Sequence, residues 1–149
     1  MLSSSLTSLF TRDLEKLKQE ISLYNQEEDL WRVNEGITNS GGNLCLHLIG
    51  NLNTYIGVGI LKTEYIRHRD LEFSLKDIPR SELFSKIDET KDIVNQALKL
   101  VSDDDMEGMF PVIVWDSPTR MDFTLIHLHS HLNYHLGQIN YHRRLIHKH

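Results

Sequence analysis

The chain carries a single cysteine, Cys45, among its 149 residues. That excludes an internal disulfide and any zinc site built on cysteines, and it fits a reducing, cytoplasmic setting. Proline is scarce, occurring only as Pro79, Pro111 and Pro118. The stretches between them are long enough to be read for helical period. Positive charge is also limited. Sixteen Lys and Arg stand against 21 Asp and Glu, for a formal net charge of -5 with histidine neutral. Nucleic-acid affinity comes largely from cations on phosphates, so no nucleic-acid partner is expected. The densest basic cluster, Arg143, Arg144 and Lys148, falls at a predicted helix end, where cations suit the helix dipole. Met1-Leu2-Ser3-Ser4-Ser5 has no basic segment leading into an apolar run, so no signal peptide is expected. Leu44 to Leu61 approaches the length of a membrane span. His47, Asn51, Asn53 and Thr54 interrupt it, at a cost in lipid that argues against a membrane partner.

Hydrophobic residues make up 40% of the chain and charged residues 25%, a balance typical of a folded globular protein. One domain over residues 1–149 is expected. The apolar pattern is helical. Leu6, Leu9, Phe10, Leu14, Leu17, Ile21 and Tyr24 recur at spacings of three and four, which predicts an amphipathic helix from Leu2 to Tyr24. Asn25 to Asn39 lacks a period and reads as a loop packed down by Leu30 and Trp31. A second helix is predicted from Asn39 or Ser40, both good N-caps, to about Arg67. Its apolar residues lie on more than one face, so it should be central, with a second subunit as one candidate neighbour. Gly50, Gly57 and Gly59 cost helix propensity there, and suggest close passage of a neighbouring backbone. Arg67 to Ile78 reads as a charged link. Pro79 suits a helix first turn, followed by a stripe from Leu83 to Val101 that Asp103-Asp104-Asp105 ends. Phe110 to Trp115 reads as an extended loop segment, since no partner strand is evident. Thr119 and Asp122 have the spacing of a capping box before a last helix from Arg120 to Ile146. Leu128, Leu132, Leu136, Ile139 and Leu145 supply part of its apolar face. The expected fold is all-α, a four-helix bundle with a long loop before the last helix.

Histidine is abundant, and seven of the nine fall between His127 and His149. His127, His131 and His135 are four apart. On an α-helix each such step turns the side chain by about 40° and climbs about 6 Å, so two can reach one ion and three cannot easily do so. These rings point partly inward, and a buried ring nitrogen needs a partner. Spacing alone leaves two readings open, a metal ion or hydrogen-bonded core and surface histidines. His47, in the apolar second helix, reads by itself as a satisfied core residue, with Asn51 one turn further along the same face. His129 should face away from the stripe, and His68, His142, His147 and His149 read as solvated. Tyr134 is a candidate pocket residue, Gln138 a candidate to orient His135, and Cys45 a small buried hydrophobe.

Two segments carry a resemblance. They are His47-Leu48-Ile49-Gly50-Asn51-Leu52, preceded by Trp31 and Asn39-Ser40, and His131-Leu132-Asn133-Tyr134-His135-Leu136-Gly137-Gln138-Ile139. Together they resemble the second and last helices of the DinB superfamily. The resemblance implies a four-helix bundle, often a homodimer, with one metal ligand from the second helix and two from the last. Matched position by position, those ligands are His47, His131 and His135. It also implies a divalent metal ion, zinc or nickel first, with iron and manganese as alternatives. A closed structural zinc site usually has four protein ligands, whereas three leave a position open for chemistry. A metal-dependent enzyme is therefore expected, activating water or a low-molecular-weight thiol as a hydrolase or a thiol transferase. The other reading is a non-catalytic metal-binding dimer with a binding, regulatory or stress-related role. No acidic residue stands one turn from His131 or His135 to serve as general base, and Glu64 lies several turns from His47.

Overall fold

Amphipathic stripes of the kind just described bury themselves by packing helix on helix, and the structure, a computed structural model describing residues 1–147, is all-α. Lys148 and His149 lie outside the described residues, so the expectations placed on them stop there. Five α-helices are present: α1 (Leu2–Ser22), α2 (Gly41–Leu52), α3 (Arg69–Ser74), α4 (Arg80–Lys99) and α5 (Met121–Ile146). Among the described residues there is no strand, only an isolated bridge between Met109 and Arg120. The four long helices form the expected bundle. α1 packs against α4 and α5, and α2 packs against α3, α4 and α5.

The stripe of α1 is buried as its spacing demands: Leu6, Phe10, Leu14, Leu17 and Ile21 are each at most 2% exposed. Leu83, Ile87, Val94 and Leu98 do the same for α4, and Leu125, Leu128, Leu132 and Ile139 for α5. Leu145, assigned to the α5 face, is exposed; its neighbour Ile146 is the buried residue. Ser40 caps α2, its hydroxyl accepting from the Asn43 N–H. All twelve residues of α2 are buried, so helices of the same chain already cover every side of it. The longest apolar stretch, Gly41–Leu61, is long and apolar enough to cross a membrane, yet 67% of its most apolar 18-residue window is buried within the bundle.

Four boundaries differ from the reading of the sequence. The second helix does not run regularly to Arg67. After Leu52 it widens into π-helical turns over Asn53–Leu61 and stops at Lys62, whose φ of 63° is left-handed. The charged link beyond it contains α3, which folds back along α2. The loop before α2 holds a 3-10 turn, Glu27–Trp31, that buries Leu30 and Trp31 as expected. The capping box at Thr119 is not made. Backbone hydrogen bonds from Phe110 to Thr119 and from Met121 to Gly108 fix the chain there. The Thr119 hydroxyl meets that of Thr124 at 2.6 Å, and Asp122 binds Arg120 and the Phe123 N–H.

Candidate metal centre

His47 sits in the middle of α2, and His131 and His135 lie one turn apart on α5, where the two helices pack. The structure brings these three together. His131 Nε2 is 3.2 Å from His47 Nε2 and 3.0 Å from His135 Nε2. One ring nitrogen from each lies within 4.8 Å of the other two. His47 is 6% exposed, and His131 and His135 are half-buried.

The other faces of the rings decide what this convergence means. His47 Nδ1 lies 3.0 Å from Glu72 Oε1. A carboxylate only accepts, so Nδ1 carries the proton and Nε2 presents a lone pair to the cluster. Burial alone would raise the Glu72 carboxyl, but its hydrogen bonds with His47 and Arg67 hold it below the ordinary carboxylate range. Arg67 grips that carboxylate with two nitrogens, at 2.8 and 3.0 Å. His135 Nδ1 lies 2.7 Å from Gln138 Oε1, which by the same logic makes Nε2 of His135 an acceptor too. Gln138 thus orients His135, as its spacing suggested.

His131 then faces two lone pairs with one nitrogen. If its Nε2 carries a proton, it satisfies one neighbour at a time and leaves its own Nδ1 an unpaired acceptor. If Nδ1 carries the proton, three lone pairs meet. Nδ1 is buried with no hydrogen-bond partner in either case. A buried unsatisfied polar atom costs about 1–3 kcal/mol. Burial, and then repulsion from His135 and His47, lowers the His131 pKa to about 4, so an added proton does not resolve the conflict near neutral pH. Burial also lowers the pKa of His135. A divalent cation among the three lone pairs does resolve it. Imidazole nitrogens about 2.0–2.1 Å from a tetrahedral ion stand roughly 3.3–3.4 Å apart, close to the distances here. The three-histidine donor set could hold a divalent metal ion.

Two residues of this arrangement escaped the sequence reading. Glu72 and Arg67 lie in the stretch taken for a link, and their proximity to His47 arises only when α3 folds onto α2. The one trace in the sequence is Gly50, three past His47. A Cβ there would overlap the Glu72 carboxylate, so the close approach is by a side chain and not by the neighbouring backbone. Glu64, the acid weighed as a general base, is exposed and lines a different cleft with Thr63 and Tyr65.

The remaining histidines divide by partner. His127 is exposed and outside the cluster, its ring stacked 6.4 Å from that of His131. His129 faces away from the cluster, as expected. It meets α1, with Nε2 2.7 Å from Asp13 Oδ2. His142, expected to be solvated, is 3% exposed. Its Nδ1 lies 2.7 Å from the Tyr24 hydroxyl and its Nε2 2.8 Å from the Arg32 carbonyl. It continues the buried stripe of Leu128, Leu132 and Ile139, and that register was the available signal. His68 is exposed, and His147 accepts from the Asn25 N–H. Tyr134 is 65% exposed on the outer face of α5, so it packs neither into a pocket nor between helices. Cys45 is fully buried, its thiol pushed up to about 12 by burial, as befits a small hydrophobe.

Residues 4–149 match the model of a family described as protein of unknown function (DUF1572), and the chain belongs to that family. No curated protein matches it.

Proposed function

We propose that this DUF1572 chain is a metal-dependent enzyme in which His47, His131 and His135 hold one divalent ion, and that water or a low-molecular-weight thiol is the nucleophile activated there. The observation that carries the reading is the set of three Nε2 atoms, of which His131 Nε2 lies 3.2 and 3.0 Å from the others, with two lone pairs fixed by Glu72 and Gln138. The motifs shared with the DinB superfamily point to the same three residues. A bound divalent ion would lower the pKa of water or a thiol at its open position toward neutrality.

The chain's own groups have separable tasks. Glu72 and Arg67 keep His47 in the tautomer that exposes Nε2. Gln138 does this for His135, and the buried Leu48, Leu128 and Leu132 anchor α2 and α5 in the core. Such supporting partners commonly contribute 10–100-fold to metal affinity or activity.

A second reading has one observation in its favour. Among the described residues, no carboxylate lines the cavity beside the cluster, and Glu72 is already engaged by His47 and Arg67. A metal-binding bundle without catalysis, serving a binding or regulatory role, would need no such base. Metal stripping separates the two. Chelation that leaves the helical circular dichroism intact and abolishes ester hydrolysis or thiol transfer supports the enzyme. Chelation that only lowers Tm, with no metal-dependent turnover of either substrate class, supports the second reading. The proposal also includes a cytoplasmic homodimer. Sedimentation showing a monomer at micromolar concentration removes the dimer.

A further inference from the structure

Beside the three rings lies a cavity of about 190 Å³, whose walls include His47, His131, Asn51, Arg69, Trp115 and His127. At about 30 Å³ per water it holds roughly six waters' worth of matter, room for a small molecule. Its walls are electropositive although the chain is net negative. Arg67 and Arg69 both line it, and no Asp or Glu does. Arg67 is held by Glu72, whereas Arg69 pairs with no carboxylate among the described residues and lies over the Phe73 ring, 5.4 Å from its centroid. Asn51 is 8% exposed, and its Oδ1 is buried without a hydrogen-bond partner. The Asn51 side chain lines the same cavity.

We infer that this cavity is the substrate pocket of the centre, and that its substrate is a small molecule bearing an oxyanion group, carboxylate or phosphate, which Arg69 pairs. The term substrate rests on the enzyme reading above; the binding of the anion does not. The indole of Trp115, set edge-on to His127 at 4.6 Å, offers an apolar wall for the part of the molecule between its charged end and the three histidines. An anionic ligand gains a partner in the exposed Arg69 that a neutral one does not, and a cationic one is repelled by it.

Two sets of probes on the full chain test this. In metal-loaded protein, calorimetry compares 3-mercaptopropionate, 2-mercaptoethylphosphonate, 2-mercaptoethanol and cysteamine, with metal content measured on the same samples. The anionic thiols should bind about tenfold more tightly than 2-mercaptoethanol, with cysteamine weakest. Arg69→Met should erase that preference without loss of metal, and Arg69→Lys should restore part of it. Whichever anion gains more identifies the carboxylate or phosphate source. In metal-free protein, propionate and methylphosphonate should shift the Trp115 indole N–H resonance, and Arg69→Met should abolish the shift. Anion binding by a chain that takes up no metal when zinc or nickel is offered would sustain the pocket and overturn the proposed function. Equal affinity for charged and neutral thiols, a preference that survives Arg69→Met, or metal-free protein indifferent to both anions would overturn the pocket.

Discussion

Helix α5 carries two kinds of histidine site, and they are opposites. Toward α1, His129 and Asn133 meet Asp13, which is fully buried and also gripped by Arg12. The Asp13 carboxylate accepts from all three. Burial works against the Asp13 charge, yet hydrogen bonds from Arg12, Asn133 and His129 bring its pKa down to about 2. Toward α2, His131 and His135 meet His47 with lone pairs facing lone pairs, and the ring nitrogen behind them has no partner. One cluster is complete in protein alone and staples two helices. The other leaves a gap among lone pairs that a cation could fill. What separates a structural histidine from a ligand is therefore not burial but whether its partners close the hydrogen-bond count.

Substitutions should divide along the same line. The largest effect belongs to the ligands. His131→Ala or His135→Ala should reduce bound metal well below one ion per chain after dialysis, by elemental analysis, with the helical signal kept. Full retention in both would count heavily against the centre. Next comes the support of His47. Glu72→Gln, and Gly50→Ala by displacing the same carboxylate, should each weaken metal affinity about 10–100-fold in competition with a chromogenic chelator. Asp13→Ala should do the reverse, costing about 2 kcal/mol in urea unfolding while metal stoichiometry stays unchanged. A variant of either cluster that altered both readouts equally would dissolve the distinction between them.

Acid gives a further separation. The folded pKa of His131, about 4, lies below the ordinary value of about 6.5. As pH falls through that window the unfolded chain takes up the proton and the folded site resists, so protonation works against the cluster and competes with metal for Nε2. Asp13 is depressed too, but from about 4 to about 2, so its contribution is full above pH 4 and fades only below it. Metal should thus leave as pH falls toward about 4, before the α1–α5 staple weakens. Stoichiometric metal at pH 4 would contradict this. The smallest expected effect is Tyr24→Phe, which deletes the hydrogen bond to His142 and should cost about 1 kcal/mol without touching metal binding.

The bundle was legible because its stripes are strong. Leu6 to Ile21 and Leu83 to Leu98 recur at the helical period with little competition. The spacing of His131 and His135 was legible for the same reason, being a property of one helix. His47 was not, since nothing along α2 distinguishes a ligand from a buried core histidine; only the resemblance to the DinB superfamily singled it out. Glu72 and Arg67 were invisible because their roles come from α3 folding back onto α2, an event that local period does not encode. The π-helical turns of Asn53–Leu61 were likewise hidden, since Gly57 and Gly59 weaken the α-helical preference without specifying what replaces it. His142 was misjudged by its nearness to the chain end, when its register with Ile139 and Leu132 already placed it inward.

X-ray absorption on untagged protein loaded with one equivalent of zinc or nickel tests the centre most directly. Three imidazole nitrogens at about 2.0–2.1 Å, falling to two in His47→Ala, is the predicted result. A shell with one imidazole or none, or one unchanged by His47→Ala, would contradict it.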